Sequence, residues 1–303
     1  MPQNYYPVEE LSAEMRRDDE PMGSKEKVWV SLQDDDWLFK RPRPHTGEHW
    51  AEKATAELAR LINLDAATVE LATLEETRGT ISRSFVPRIA TLTHGNELLS
   101  EQHPGYEPSV EGAYPEYRVD RIFEAIADVD ASQHSESPNA SHEVVGFLIF
   151  DGWIANTDRH HENWAILQVP GDENDRMAPT FDHASSLGRL LDDDRRLRIL
   201  NGADMLSVRG YLDRRDAQGS IFPLKGSDPA CPFRLVSDLI ELGHADSVKH
   251  WLERIEKVTR DKKRAVFEAF PGDWLTEPSM NFALQILDET EELMNEEWQS
   301  CDT

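Results

Sequence analysis

Two periodicities divide the chain. In its first third the apolar positions come in short runs. Residues 28–30 and 37–40 flank the acidic turn Asp34-Asp35-Asp36, a hairpin signal, and strand-like runs follow at residues 69–74 and 81–86. Between them Trp50, Ala54, Leu58, Leu61 and Ile62 recur at helical spacing and predict one amphipathic helix over residues 48–62. Strand, strand, helix, strand, strand reads as a small α+β lobe. Pro104, Gly105, Pro108 and Pro115 mark residues 100–118 as its connection to a larger, mainly helical part. There the Ser-, Asn- and His-rich residues 130–142 read as a loop. Val144, Val145, Phe147, Leu148, Phe150, Trp153 and Ile154 follow as a helix apolar nearly all round, the sign of burial. Residues 164–167 and 178–181, around the turn Pro170-Gly171-Asp172, suggest a hairpin, and helices are predicted over residues 235–242, 248–270 and 281–298. The pattern yields a polar N-terminal arm or short helix (1–21), an N-lobe (22–108) and a C-lobe (109–303).

Composition narrows what such a molecule binds. The 303 residues carry 58 acidic against 32 basic side chains, a formal net charge of -26 at pH 7. Gripping a polyanion requires a basic stripe, so direct nucleic-acid binding and an anionic membrane surface are not expected. Eight Trp and eleven Phe keep the chain in the globular class despite its charge. Cys231 and Cys301 give neither a disulfide framework nor a Cys-based zinc site. No run approaches the ~20 apolar residues of a membrane span and residues 1–19 lack a signal segment, so the expected location is cytoplasmic.

The chemistry concentrates in residues 151–163, D-G-W-I-A-N-T-D-R-H-H-E-N, where the buried helix ends in a polar loop and a strand starts directly afterwards. Asp182 stands at the end of the next strand. If the hairpin forms, its strands return to one edge and Asp158, Asn163 and Asp182 converge. Two oxygen ligands and a third carboxylate in one cleft suit Mg²⁺ with phosphate, because Mg²⁺ takes hard oxygen ligands and keeps positions open.

The pattern D-x-x-x-x-N-x-D-R-H-x-x-N, followed by an Asp at a strand end, resembles the catalytic core of HipA-like serine/threonine kinases and, more distantly, of phosphoinositide kinases. The resemblance extends to Trp37-Leu38-Phe39-Lys40 and to the helix containing Glu52 and Glu57-Leu58-Ala59. It implies a two-lobed protein-kinase-like fold, with a small N-terminal sheet lobe that binds nucleotide and a larger helical lobe for catalysis and substrate. ATP and Mg²⁺ are the implied cofactors. Asp158, Lys40 and Asn163 become catalytic residues: Asp158 as base, Asn163 and Asp182 as metal ligands, Lys40 on the α- and β-phosphates. Resemblance selects Glu52 as the ion-pair partner of Lys40, whereas periodicity places Glu57 nearer the apolar face. Gly23, Ser24, Lys25 and Lys27 occupy the place of the family's phosphate-covering loop, with one Gly instead of three. His160 either packs the loop or touches the transferred phosphate. Ser24, Ser82 and Ser84 are autophosphorylation candidates by residue type only.

The resemblance also implies partners: a protein substrate with a Ser or Thr acceptor, a translation component such as an aminoacyl-tRNA synthetase being one candidate, and a regulatory, antitoxin-like protein. The best-known members carry an additional N-terminal subdomain that residues 1–22 are too short to supply. A bound partner in its place, or action alone, is therefore expected, and the toxin role stays open. A small-molecule or lipid kinase and a non-catalytic pseudokinase binding module are the alternatives.

Each residue also has a plainer reading. A lone Asp, Asn or His in a loop usually caps a helix or forms a turn, and Asn156 could simply end its helix. Capping explains neither Arg159-His160 nor Asp182. Asn156 and Arg159 read as loop supports, and Asp151 as a hydrogen-bond partner of the loop. A transition-metal site from Asp158, His160, His161, Glu162 and His183 is a minor option, because adjacent side chains rarely converge on one ion. Trp50, Trp153 and Trp251 fit core, and Asp192-Asp193-Asp194 and residues 289–297 read as solvated faces. Residues 130–142 and 187–210 are expected to face the acceptor. An anionic nucleotide in so acidic a protein requires Lys40, Lys25, Lys27, Arg159 and Mg²⁺ to make a locally positive cleft.

Overall fold

The computed structural model describes residues 5–19, 27–107, 114–214 and 218–301. Strands β1 (Val8–Leu11), β2 (Arg16–Asp19), β3 (Lys27–Leu32), β4 (Asp35–Lys40), β5 (Val69–Leu74) and β6 (Thr77–Arg83) form one sheet in the order β1-β5-β6-β4-β3-β2. The described part of the expected N-terminal arm is thus built into the sheet. β1 lies parallel to β5, with Val8 opposite Leu71, and β2 forms the other edge against β3. Its short V-E-E-L run carries little signal by itself; the distant β5 makes it a strand. The hairpins β3–β4 and β5–β6 turn on Gln33-Asp34 and Glu75-Glu76, all four at positive φ. That geometry matches the strand twist but usually selects Asn-Gly or Asp-Gly, which is why β6 begins at Thr77 and not at the predicted residue 81.

Helix α1 (Glu48–Leu61) follows the predicted span and buries Trp50, Ala54 and Leu58. It packs on β5 and β6 of the sheet and on the C-terminal part of the molecule. A small apolar cluster around Val30, Phe39, Leu74 and Ile81 fills the sheet's own interior. The much larger core runs through the helical lobe and includes α1. β7 (Thr91–His94) then leads into α2 (Gly95–Gln102) and α3 (Val119–Ala125).

Helix α4 (Ala140–Trp153) is the axis of the second lobe. Asn139 caps its N-terminus by accepting from the His142 N–H, and Phe150 and Trp153 are wholly buried. β8 (Ala165–Gln168) pairs with β7 on one side and with β9 (Arg176–Met177) on the other. β9 is shorter and earlier than the strand predicted at 178–181. Residues beyond it stay extended: the Ala178 N–H donates to the Ala165 carbonyl, and Thr180 bridges in parallel to Ala66.

The remaining helices are α5 (Asp193–Leu200), α6 (Val208–Leu212), α7 (Val236–Glu241), α8 (Ala245–Glu256), α9 (Arg260–Glu268) and α10 (Glu277–Cys301). The single helix predicted over 248–270 is two, because Thr259 caps a new start by accepting from the Lys262 N–H. Asp192-Asp193-Asp194 is likewise no plain solvated face. Asp192 caps α5 through the Arg195 N–H, and Asp193 pairs with Arg196. Within residues 289–297, Glu291 pairs with the buried Lys263 and Glu297 with Arg234. Both cysteines are free. Among the described residues, no helix is long and apolar enough to cross a membrane.

Candidate active site

Lys40 closes β4, where it faces Lys27 of β3 on one side and Thr80 of β6 on the other. Directly opposed residues of an antiparallel pair project to the same face, so two ammonium groups stand side by side, an arrangement that repels unless an anion lies between them. Asp182 is that anion: its carboxylate lies 3.4 Å from Lys40 Nζ and 3.5 Å from Lys27 Nζ. Glu52, one turn into α1, reaches Lys40 Nζ at 2.5 Å and accepts from the Thr80 hydroxyl at 3.4 Å. Burial opposes the charge on Lys40, but Asp182 and Glu52 outweigh it and hold the ammonium above its ordinary range. Glu57 is committed elsewhere, to Lys53 and Arg60. The partner of Lys40 is therefore Glu52.

The loop after α4 is built on a buried ion pair. Arg159 donates from Nε to Asp151 Oδ2 at 2.6 Å and from Nη2 to Asp151 Oδ1 at 2.9 Å, the fork geometry that matches a carboxylate. It also reaches the Asn163 carbonyl at 2.5 Å and the Thr180 hydroxyl at 2.8 Å. One side chain thus fastens the end of α4, both ends of the loop and the segment leading to Asp182. Asn156 completes the frame, donating to Asp151 Oδ1 and accepting from the Asp158 N–H at 3.1 Å. His183 Nε2 lies 2.9 Å from Arg159 Nη2 and so accepts there; burial, then the Arg159 charge, push its pKa well below the ordinary histidine value. Arg159 serves as a scaffold residue and does not line the cleft itself.

On this frame Asp158, Asn163 and Asp182 converge on one cleft of about 240 Å³ with Lys27 and Lys40. Asn163 Nδ2 donates to the Asp158 carbonyl at 2.7 Å. The Asp158 side chain is 46% exposed and opens to solvent. Asp182 has φ 58°, a left-handed conformation that Asp tolerates better than most residues. The inner wall of the cleft is apolar, from Leu38, Val86, Leu92 and Phe181, and Phe85 packs on Phe181 with ring centroids 5.5 Å apart. Arg43 supplies a further cation at the rim.

His160 lines the same cleft, with Nε2 3.9 Å from Asp158 Oδ1 and Nδ1 accepting from the Glu162 N–H. Lys27 is in place, whereas Gly23, Ser24 and Lys25 lie outside the described residues. The minor metal option loses two members: His183 is bound to Arg159 and Thr180, and His161 to Tyr106. Residues 130–142 do not border the cleft; Gln133 and His134 line a second cavity of about 470 Å³ on the other side of Ala67 and Phe85.

Sequence reasoning missed three features. The apolar wall depends on β7, which carries no local signal. Glu48 gathers Arg43 and Arg189, joining α1 to the segment after Asp182, and sequence separation hides the pairing. Ser185 donates to Asp158 Oδ2 at 3.1 Å, a contact that only the turn after Asp182 creates.

The fold is shared with solved structures, of which two are described. Helicobacter pylori proinflammatory kinase CtkA superposes with a TM-score of 0.75 at 17% identity, covering 97% of this chain and 99% of its own. HipA of Shewanella oneidensis MR-1, solved with HipB and operator DNA, superposes at 0.58 and 13% identity, covering 96% of this chain and 68% of its own. No curated protein sequence matches the chain. Residues 20–210, well over half of the chain, match the HipA-like C-terminal domain, and the chain belongs to that family of kinase-fold proteins.

Proposed function

We propose that the protein is an ATP- and Mg²⁺-dependent kinase that phosphorylates a Ser or Thr hydroxyl of a protein. The observation that carries the reading is the pair of opposed lysines sharing one carboxylate, beside an apolar slot and an open Asp158. That arrangement calls for an anion of several charges attached to a flat apolar group, which describes a nucleotide triphosphate. It also gathers basic residues of an acidic chain in one cleft, which supports phosphate binding there.

The residues divide the work as phosphoryl transfer requires, by positioning and charge neutralisation. Lys40, oriented by Glu52, and Lys27 bind phosphate oxygens. Asn163 and Asp182 would hold Mg²⁺; their oxygen donors fit a hard cation, which supplies charge neutralisation at the phosphates. Asp158 accepts the proton as the acceptor oxygen bonds to the γ-phosphorus and the bond from that phosphorus to the β–γ bridging oxygen breaks, with ADP leaving. Leu38, Val86, Leu92 and Phe181 take the base and exclude water from it.

A protein acceptor suits the solvent-open side of Asp158 and the exposed Leu190 and Met205 of the segment that follows Asp182. By family, a translation component is a candidate acceptor. HipA was solved with HipB, and a regulatory protein partner is part of the same proposal. The experiment compares label transfer from γ-labelled ATP to protein for the native chain and Asp182→Asn, with Mg²⁺ and with EDTA. Transfer that requires Mg²⁺ and is lost in Asp182→Asn is expected; transfer in EDTA, or unchanged in Asp182→Asn, overturns the metal assignment. Label recovered in a lipid or small-molecule fraction overturns the protein acceptor.

A further inference from the structure

Asp158 and Asp182 line the cleft, Asp151 is buried outside it, and the three differ in status. Asp151 is saturated: Arg159 occupies both of its oxygens and Asn156 adds a further bond to one. Asp182 is bridged by two ammonium groups. Among the described residues, Asp158 alone of the three meets no cation within hydrogen-bond reach; His160 Nε2 stays 3.9 Å from its Oδ1. Among the described residues, the carboxylate of Asp158 receives one hydrogen bond, from the Ser185 hydroxyl to Oδ2.

The main chain of Asp158 is fixed without help from Ser185, its N–H by Asn156 and its carbonyl by Asn163. Those bonds set where the residue stands and leave the carboxyl plane free to turn. Ser185, 4% exposed, is in turn fixed to the loop by its own carbonyl, which accepts from Thr157 N–H at 3.1 Å and from the Thr157 hydroxyl at 3.3 Å. Its hydroxyl is therefore available for orientation and is not needed to hold the loop.

We infer that Ser185 is a positioning residue for proton abstraction, which deepens the kinase reading and rests on it. Its O–H fills Oδ2 and fixes the carboxyl plane, so that Oδ1 faces the acceptor hydroxyl with its lone pairs free. A neutral donor does this where a cation would neutralise the base. Ser185 stands three residues after Asp182, so the same turn that presents the proposed metal ligand also aims the base.

The test uses the full chain and γ-labelled ATP with an acceptor protein found for the native enzyme. Ser185→Ala is expected to lower kcat about tenfold, the usual size of a hydrogen bond to a charged group, with the KM for ATP and the melting temperature unchanged. Ser185→Thr, which keeps the hydroxyl, is expected to recover most of the loss. Ser185→Ala within twofold of native kcat, beside an inactive Asp158→Ala, overturns the inference and leaves the kinase reading standing. A fall in melting temperature together with kcat, not recovered by threonine, assigns Ser185 a purely structural role and also overturns it. An active Asp158→Ala overturns the reading beneath it.

Discussion

Replacing Arg159 by methionine removes the one cation from a site where Asp151 is 1% exposed. The carboxylate cannot reach water, and Asn156, its remaining donor, offers a single neutral bond at 2.8 Å. Breaking a buried pair from one side costs about 3–5 kcal/mol, most of it the penalty of an unpaired buried charge. The unfolding equilibrium should therefore shift roughly 100- to 3000-fold. Replacing both partners, Asp151→Leu with Arg159→Met, removes the stranded charge and should recover part of that loss. Recovery stays incomplete because the Asn163 carbonyl also loses its Arg159 donor. Urea denaturation at pH 7, read by tryptophan fluorescence and by circular dichroism, measures both variants. A loss below about 1 kcal/mol for Arg159→Met, or a double variant less stable than Arg159→Met, would refute the view that this pair frames the loop.

Two further outcomes are expected. A Cβ on Gly79 would stand 2.5 Å from the Lys40 carbonyl oxygen and 2.7 Å from Phe39 Cζ. Gly79→Ala should then displace the end of β4 and weaken ATP binding at least tenfold by calorimetry; unchanged affinity would show that β4 yields without moving Lys40. At the other side of the fold, Ser132 Oγ lies 2.6 Å from both Asp65 Oδ2 and Glu143 Oε1. One hydroxyl proton serves only one of them. Burial raises the pKa of Glu143. A carboxyl whose folded pKa is raised contributes stability that is complete below the ordinary glutamate value and is lost as pH rises through the raised one. Glu143→Gln should match the native melting temperature below the ordinary glutamate range and gain on it as pH rises through the raised pKa; melting curves that stay parallel from acid to neutral pH would contradict a raised Glu143 pKa.

The sequence was most legible where local pattern and final environment agree. α4 is apolar all round because it is buried all round, and α1 matches its periodicity closely. The spacing within residues 151–163 was legible for a related reason: its residues are close in sequence, and Asp151, Arg159 and Asn163 hold one another. Illegible features were those made by distant chain. β1 exists through β5, and β7 through β8. The Glu52 question shows the same limit, since periodicity ranks side chains by polarity around a helix. It cannot foresee that β4 will deliver a lysine to the buried face, burying Glu52 while Lys53 draws Glu57 away. Lys40 owes its place to register across two hairpins whose turns lack glycine. The polarity of residues 130–142 gave no sign that Ser132 ties the loop to Asp65 and Glu143.

If, as we propose, Asp158 takes the proton of an acceptor hydroxyl in a cleft that Lys40, Asn163 and Asp182 prepare for ATP, its removal should stop transfer without loss of the fold. The measurement is label transfer from γ-labelled ATP by Asp158→Ala, with circular dichroism and ATP affinity determined on the same preparation. A folded protein that binds ATP as the native chain does and transfers at least about a hundredfold less phosphate to protein is expected. A folded Asp158→Ala protein that transfers phosphate at the native rate would contradict it.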